Sequence, residues 1–238
     1  MDNKQALTVY VGHDKREQIA FDVCVNSIRS RSNIQIQELK IDDLTNKGLM
    51  WRPVEKIDGQ MWDVISNKPQ ATEFAICRFL VPVIHQTGWA IFMDCDMILT
   101  QDINNIIPYL DDTKAVMVVK HNQVVTEEIK MDGQIQTVYP RKNWSSFMAF
   151  NCDHPANKTL SLNTINEQRG LWLHSFSWLS DDLIGELPNT WNWLVGVQDK
   201  PEQPIVVHFT LGGPWFNDWD AKPHDEMWTN EYHLQTGV

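Results

Sequence analysis

The sequence has no Cys-x-x-Cys pair, and its four cysteines, Cys24, Cys77, Cys95 and Cys152, are scattered along 238 residues. That spacing excludes a zinc ribbon or finger and a disulfide framework. There is no run of about 18 apolar residues, and no apolar stretch follows the polar start Met1-Asp2-Asn3-Lys4-Gln5. Neither a transmembrane segment nor a signal peptide is therefore expected, and the expected location is the reducing cytoplasm. Basic residues are scarce: 20 Lys and Arg stand against 31 Asp and Glu, for a net charge of −11. Non-specific nucleic-acid binding needs Lys and Arg against phosphates, so this balance disfavours it. Repeats, low-complexity tracts and linker-like stretches are also missing, which predicts a single domain over residues 1–238.

What the chain does have is a globular composition, 42% hydrophobic and 21% charged, with 11 Trp. Indole rings fill cores, and they also stack on sugars and bases. The most informative stretch is Trp89-Ala90-Ile91-Phe92-Met93-Asp94-Cys95-Asp96-Met97-Ile98-Leu99. Its apolar start has the length and composition of a buried strand. In extended backbone, positions i and i+2 share a face, so Asp94 and Asp96 are expected on one side and Cys95 on the other. Paired carboxylates just past a strand end suit Mg²⁺ or Mn²⁺, especially when a phosphate completes the shell. That position is also where open α/β sheets bind ligands. The alternative is a solvated turn. A second Asp-x-Asp, Asp218-Trp219-Asp220, follows no apolar run and reads as a loop.

Along the chain, Leu7-Thr8-Val9-Tyr10-Val11-Gly12 reads as a first strand, residues 15–31 as a helix and Ile34-Gln35-Ile36-Gln37-Glu38-Leu39 as a half-buried strand. Strand, helix, strand predicts a parallel βαβ unit. Asp14, in the turn after the first strand, either bonds a nucleoside or caps the helix. Residues 45–67 read as a long packed loop. Residues 72–85 read as a helix with Thr72 as N-cap and Pro82 bending or ending it, and with Arg78, which could snorkel or meet a phosphate. Residues 115–120 and 143–151 are further strands. Asp132-Gly133 marks a hairpin over residues 127–138, expected as a flap. Asp181-Asp182 lies in a segment that either starts a helix or carries chemistry. The late strand 204–209 ends in His208, before Gly212-Gly213-Pro214-Trp215; His208 either completes a metal shell or sits in the core.

This order of features resembles the GT-A glycosyltransferases, most closely the family 8 group of glycogenin-like and bacterial galactosyl- and glucosyltransferases. The resemblance runs from Val9 to Trp215. It rests on Val9-Tyr10-Val11-Gly12-His13-Asp14, Arg78-Phe79-Leu80-Val81-Pro82, Asp94 with Asp96, and His208-Phe209 with Gly212 and Pro214-Trp215. Where the family has Asn-Ala-Gly, this chain has Trp144-Ser145-Ser146. Where the family has Asp-Gln-Asp, it has Ser180-Asp181-Asp182, and the family's late Lys is absent.

The resemblance implies an α/β GT-A (Rossmann-like) fold: a mixed, mostly parallel sheet flanked by helices, with an added β-hairpin flap. It implies a metal-dependent, hexosyltransferase-like enzyme. Such an enzyme moves a sugar from a nucleotide-sugar donor, a UDP-sugar, to an acceptor hydroxyl with retention. Asp94, Asp96 and His208 would ligate Mn²⁺ or Mg²⁺. Val11, Gly12, Asp14, Arg78, Asp94, Gly212 and Gly213 would bind the donor. Asp181, Asp182 and Arg78 would serve catalysis. The acceptor would be a glycan, a lipid-linked sugar or a protein, with modified DNA a minor alternative. Two rival readings are a metal-dependent phosphohydrolase acting on a nucleotide or sugar phosphate and a Trp-rich carbohydrate-binding module. The latter would have no need of Asp94, Asp96 and Arg78 together.

Overall fold

In the computed structural model, which describes residues 7–122 and 141–237, the chain opens with β1 (Thr8–Gly12), α1 (Gln18–Arg29) and β2 (Gln35–Leu39). β1 and β2 pair in parallel, as the alternating apolar pattern predicts. β2 forms one edge of its sheet, and Leu39 is its one buried residue.

The loop expected over residues 45–67 is corrected. α2 (Ile41–Asn46) leads into β3 (Val54–Ile57), β4 (Gln60–Asp63) and β5 (Lys68–Gln70), an antiparallel meander. Its first turn is Asp58-Gly59, with φ of 51° and 84°. Positive φ at both positions is the type I′ geometry that matches strand twist, and Asp-Gly favours it. The hairpin expected around Asp132-Gly133 lies outside the described residues.

The helix expected over residues 72–85 is also corrected. Thr72 lies in a bend, Cys77–Leu80 is a 3-10 turn, and α3 is only Val81–His85. Pro82 stands in its first turn, where a missing N–H breaks no helical bond, so it starts the helix instead of ending it.

There follow β6 (Trp89–Met93), β7 (Met97–Leu99), β8 (Val116–Val118), β9 (Phe147–Asn151), α4 (Leu162–Glu167), α5 (Gly170–His174), β10 (Ile184–Glu186), β11 (Trp193–Leu194), β12 (Val206–His208) and α6 (Asp225–Thr236). The polar start of the 143–151 segment, read as strand, is a 3-10 turn at Trp144–Ser146.

The main sheet has the order β10-β8-β9-β6-β1-β2. β9 runs antiparallel to both neighbours, and the other pairings are parallel. This is the mixed, mostly parallel sheet expected. A smaller sheet joins β11, β12 and β7. β6 and β9 lie at the centre with Ala90, Ile91, Phe92, Met93 and Phe147 to Phe150 fully buried, because neither face of these strands meets water. α1 turns Ala20, Phe21, Cys24 and Ile28 inward. After α1, Arg31 forks onto Glu231 of α6 at 2.8 and 2.7 Å, which ties the late helix to the early one. Among the described residues no helix is long and apolar enough to cross a membrane.

Candidate active site

β6 ends at Met93, and Asp94-Cys95-Asp96 turns the chain out of the main sheet into β7. Cys95 and Asp96 form a turn instead of the extended backbone expected. Cys95 is nevertheless fully buried, with Sγ 3.6 Å from Glu17 Oε2. The turn is anchored on both sides: Asp94 N donates to Ser146 O, and Phe209 N donates to Asp96 O, each at 2.9 Å. β12 lies antiparallel on β7 with His208 opposite Met97. That register places His208 Nε2 3.3 Å from Asp96 Oδ1. One ligand atom each from Asp94, Asp96 and His208 lie within 4.8 Å of one another.

The hydrogen bonds around His208 fix what this cluster can hold. Asn192, fully buried, donates Nδ2 to Asn143 O at 3.2 Å and to Ser146 Oγ at 2.9 Å. Its Oδ1 is therefore an acceptor, and His208 Nδ1 donates to it at 2.9 Å. That bond leaves Nε2 facing the Asp96 carboxylate. Two carboxylates with one imidazole suit a hard divalent ion. The residues fit the metal that the resemblance implies.

Arg78 lies against this cluster, 6% exposed, between the rings of Phe74 and Phe92 at 5.2 and 4.9 Å. Its Nη1 donates to Ser145 O at 2.8 Å and pairs with Asp94 Oδ1 at 2.9 Å. Its Nε has no partner among the described residues. Ser145 Oγ is bonded to His174 Nδ1 at 2.8 Å. Burial first, then the charges of Arg78 and Arg52, push the His174 pKa down to about 3. His174 is thus a neutral hydrogen-bond partner and a weak base.

Arg78, Asp94, Ser145, Ser146 and His174 line a cleft of about 280 Å³, with Lys68, Lys142, Asn143, Arg169 and Thr210 around it. The expected donor residues of the first strand sit deeper. Val11 is fully buried, and a side chain at Gly12 would come within 2.6 Å of the Phe74 ring. Asp14 takes the capping role: Oδ1 accepts from Arg16 N at 2.9 Å, and Oδ2 accepts from Glu73 N at 3.1 Å. Burial alone would raise its pKa, but the Arg16 guanidinium and these N–H groups hold it below the usual carboxylate range.

Gly212 has φ 101° and borders a second cavity with Trp219 and Lys222. Gly213 is closely packed by Trp215. Asp181 and Asp182 stand on an exposed 3-10 turn before β10 and are not among the residues lining the cleft. The Asp181 side chain, 87% exposed, pairs with Arg141, next to cleft-lining Lys142. Asp218 and Asp220 lie in a loop, as read from sequence.

Sequence reasoning missed Asn192, His174, Lys68 and Arg169. Asn192 left a usable signal: a polar residue between Trp191 and Trp193 in an apolar stretch needs a buried partner. The other three left none.

No family model matches the chain. Its fold is similar to that of the glycosyltransferase GlyE of Streptococcus pneumoniae, at 12% identity and a TM-score of 0.59. That match covers 97% of this chain, which spans 60% of the GlyE chain. LgtC, an active-site mutant in the structure compared, gives 11% identity and a TM-score of 0.55 with 95% of both chains covered. Mouse xyloside xylosyltransferase 1 gives 11% identity and a TM-score of 0.52 over 86% of this chain and 97% of its own. The fold is the GT-A fold of these glycosyltransferases. In sequence the chain is 43% identical to Protein CDI of Arabidopsis thaliana over 236 residues, 96% of this chain and 86% of that protein. The chain thus belongs to the same family as Protein CDI.

Proposed function

We propose that this protein is a metal-dependent glycosyltransferase of the family 8 type, a single catalytic domain over residues 1–238. It moves a hexose from a UDP-sugar to the hydroxyl of a glycan, lipid-linked sugar or protein acceptor in the cytoplasm. The observation that carries this reading is the convergence of Asp94, Asp96 and His208 within 4.8 Å beside buried Arg78, on a GT-A fold.

In this reading Asp94, Asp96 and His208 hold Mn²⁺ or Mg²⁺, and Asn192 keeps His208 in its ligating orientation. A bound divalent ion takes up the charge that develops on a departing nucleoside diphosphate. Arg78, clamped between two rings and anchored on Ser145, adds a fixed positive group at the same place. Its rigidity means little reorganisation when the diphosphate leaves. Retention rests on the family resemblance. Asp181 and Asp182 are set in solvent, where a carboxylate stabilises a distant cationic centre weakly, and Asp181 acts at the rim through Arg141.

Calorimetry with UDP and with GDP, each with Mn²⁺ and in EDTA, tests the assignment. Binding that requires the metal is expected for one of them, and a nucleotide-sugar panel scored by nucleotide release then identifies the donor. Equal affinity in EDTA would sink the metal-bridged diphosphate.

A further inference from the structure

The cleft is basic in a chain that is strongly acidic. Over the whole sequence 31 Asp and Glu outnumber 20 Lys and Arg. Among the cleft-lining residues the order reverses: Lys68, Arg78, Lys142 and Arg169 face only Asp63 and Asp94. Both acids are already matched. Asp63 accepts Arg52 through both oxygens, at 2.7 and 2.6 Å, in a pair almost wholly shielded from water. Asp94 belongs to Arg78 and the metal cluster. Lys68 and Arg169 remain exposed, and neither side chain has a hydrogen-bond or ion-pair partner among the described residues.

Their placement is built into the fold. Lys68 stands opposite Asp63 in the β4–β5 pairing. Arg169 follows Gln168, whose carbonyl accepts Arg52 Nη1 at 2.6 Å. Ser66 Oγ accepts Gly170 N at 2.7 Å and Arg52 Nη2 at 3.1 Å. Arg52 thus cancels the charge of Asp63 and also pins together the two backbone segments that carry Lys68 and Arg169. One buried ion pair leaves the cleft wall cationic and fixed in shape. A cleft lined by one sign of charge concentrates ligands of the other.

Resting on the transferase reading, we propose that Lys68 and Arg169 bind a second anionic group, a phosphate or carboxylate. The metal cluster and Arg78 serve the diphosphate, and this group lies outside it, on the sugar being transferred or on the acceptor. The substrate class is therefore an acidic or phosphorylated sugar and not a neutral one.

Two matched pairs of probes separate the sources. UDP-glucuronate against UDP-glucose, with Mn²⁺, reports an anion on the donor sugar. Glucose 6-phosphate against glucose, with Mn²⁺ and UDP and also with no nucleotide, reports an anion on the acceptor. Calorimetry should show at least about tenfold tighter binding for the anionic member of one pair, shrinking as salt is raised. Lys68→Gln with Arg169→Gln should remove that preference and lose much less affinity for Mn²⁺ with UDP.

Three results overturn the proposal: no preference in either pair, a preference that survives the double variant, or an equal loss of UDP affinity, which would assign the cations to the diphosphate. If the wild type binds neither UDP nor GDP with metal, the transferase reading fails. The nucleotide-free comparison of glucose 6-phosphate with glucose still decides the anion site.

Discussion

Two buried Arg–Asp pairs flank the cleft, and they are built differently. Arg52 meets Asp63 fork to fork, and its remaining donors reach Ile165 O, Asn166 O, Gln168 O and Ser66 Oγ. Arg78 meets Asp94 through Nη1, shares that nitrogen with Ser145 O, and leaves Nε without a partner among the described residues. The first pair is saturated, so it can only hold structure. In the second, Arg78 Nε is left without a partner among the described residues, in a place where a buried guanidinium would ordinarily be satisfied. The difference separates a scaffold pair from a pair kept ready for a ligand.

The largest expected effect tests the scaffold side. Arg52→Ala leaves Asp63 as a buried unpaired charge and should destabilise by about 3–5 kcal/mol. Arg52→Met with Asp63→Leu should regain most of that in thermal or denaturant unfolding, because a packed apolar pair avoids both desolvation costs. Arg78→Met with Asp94→Leu should also fold, yet show no metal-dependent nucleotide binding. If the Arg52 double variant instead lost binding and kept full stability, the distinction between the pairs would collapse.

Next in size is Asn192→Ala. Freeing the His208 ring should weaken Mn²⁺ binding by roughly 10- to 100-fold, read by electron paramagnetic resonance titration without substrate. Asn192→Asp keeps the acceptor and should lose less. An unchanged Mn²⁺ affinity in Asn192→Ala would leave Asn192 a packing residue.

The last effect is absent at neutral pH and concerns acid stability. The folded pKa of His174 is about 3, against 6.5 for the unfolded ring. Between those values the unfolded chain binds a proton that the folded chain refuses. The contribution is present in full above pH 6.5 and falls as the pH drops toward 3. One proton corresponds to at most about 1.4 kcal/mol per pH unit. His174→Gln should flatten the unfolding midpoint against pH over that window, and parallel curves for the two proteins would show that His174 is charged in the fold.

The Asp58-Gly59 pair shows how far local pattern carries. Asp58-Gly59 turns the β3–β4 hairpin with positive φ at both positions, a signal legible in the sequence and masked by the irregular spacing of Trp51, Pro53 and Trp62 around it. Pro82 was legible as a helix marker and ambiguous as to which end, since a proline suits a first turn as well as it stops a last one. β6 was plain because a strand buried on both faces writes a continuous apolar run.

The sequence by itself determined the opening strand-helix-strand unit, the buried central strand with Asp94 and Asp96 at its end, and an acid balance that disfavours nucleic acid. These are properties of neighbours in the chain, set by burial at fixed periods. Only the tertiary structure decided that His208 meets Asp96, that Asn192 orients it, that Arg78 is clamped by Phe74 and Phe92, and that Lys68 and Arg169 share one wall. Each of those depends on strand register and on packing between residues far apart in sequence. The register of β12 on β7 is set by side chains both strands bury, and no local period records it.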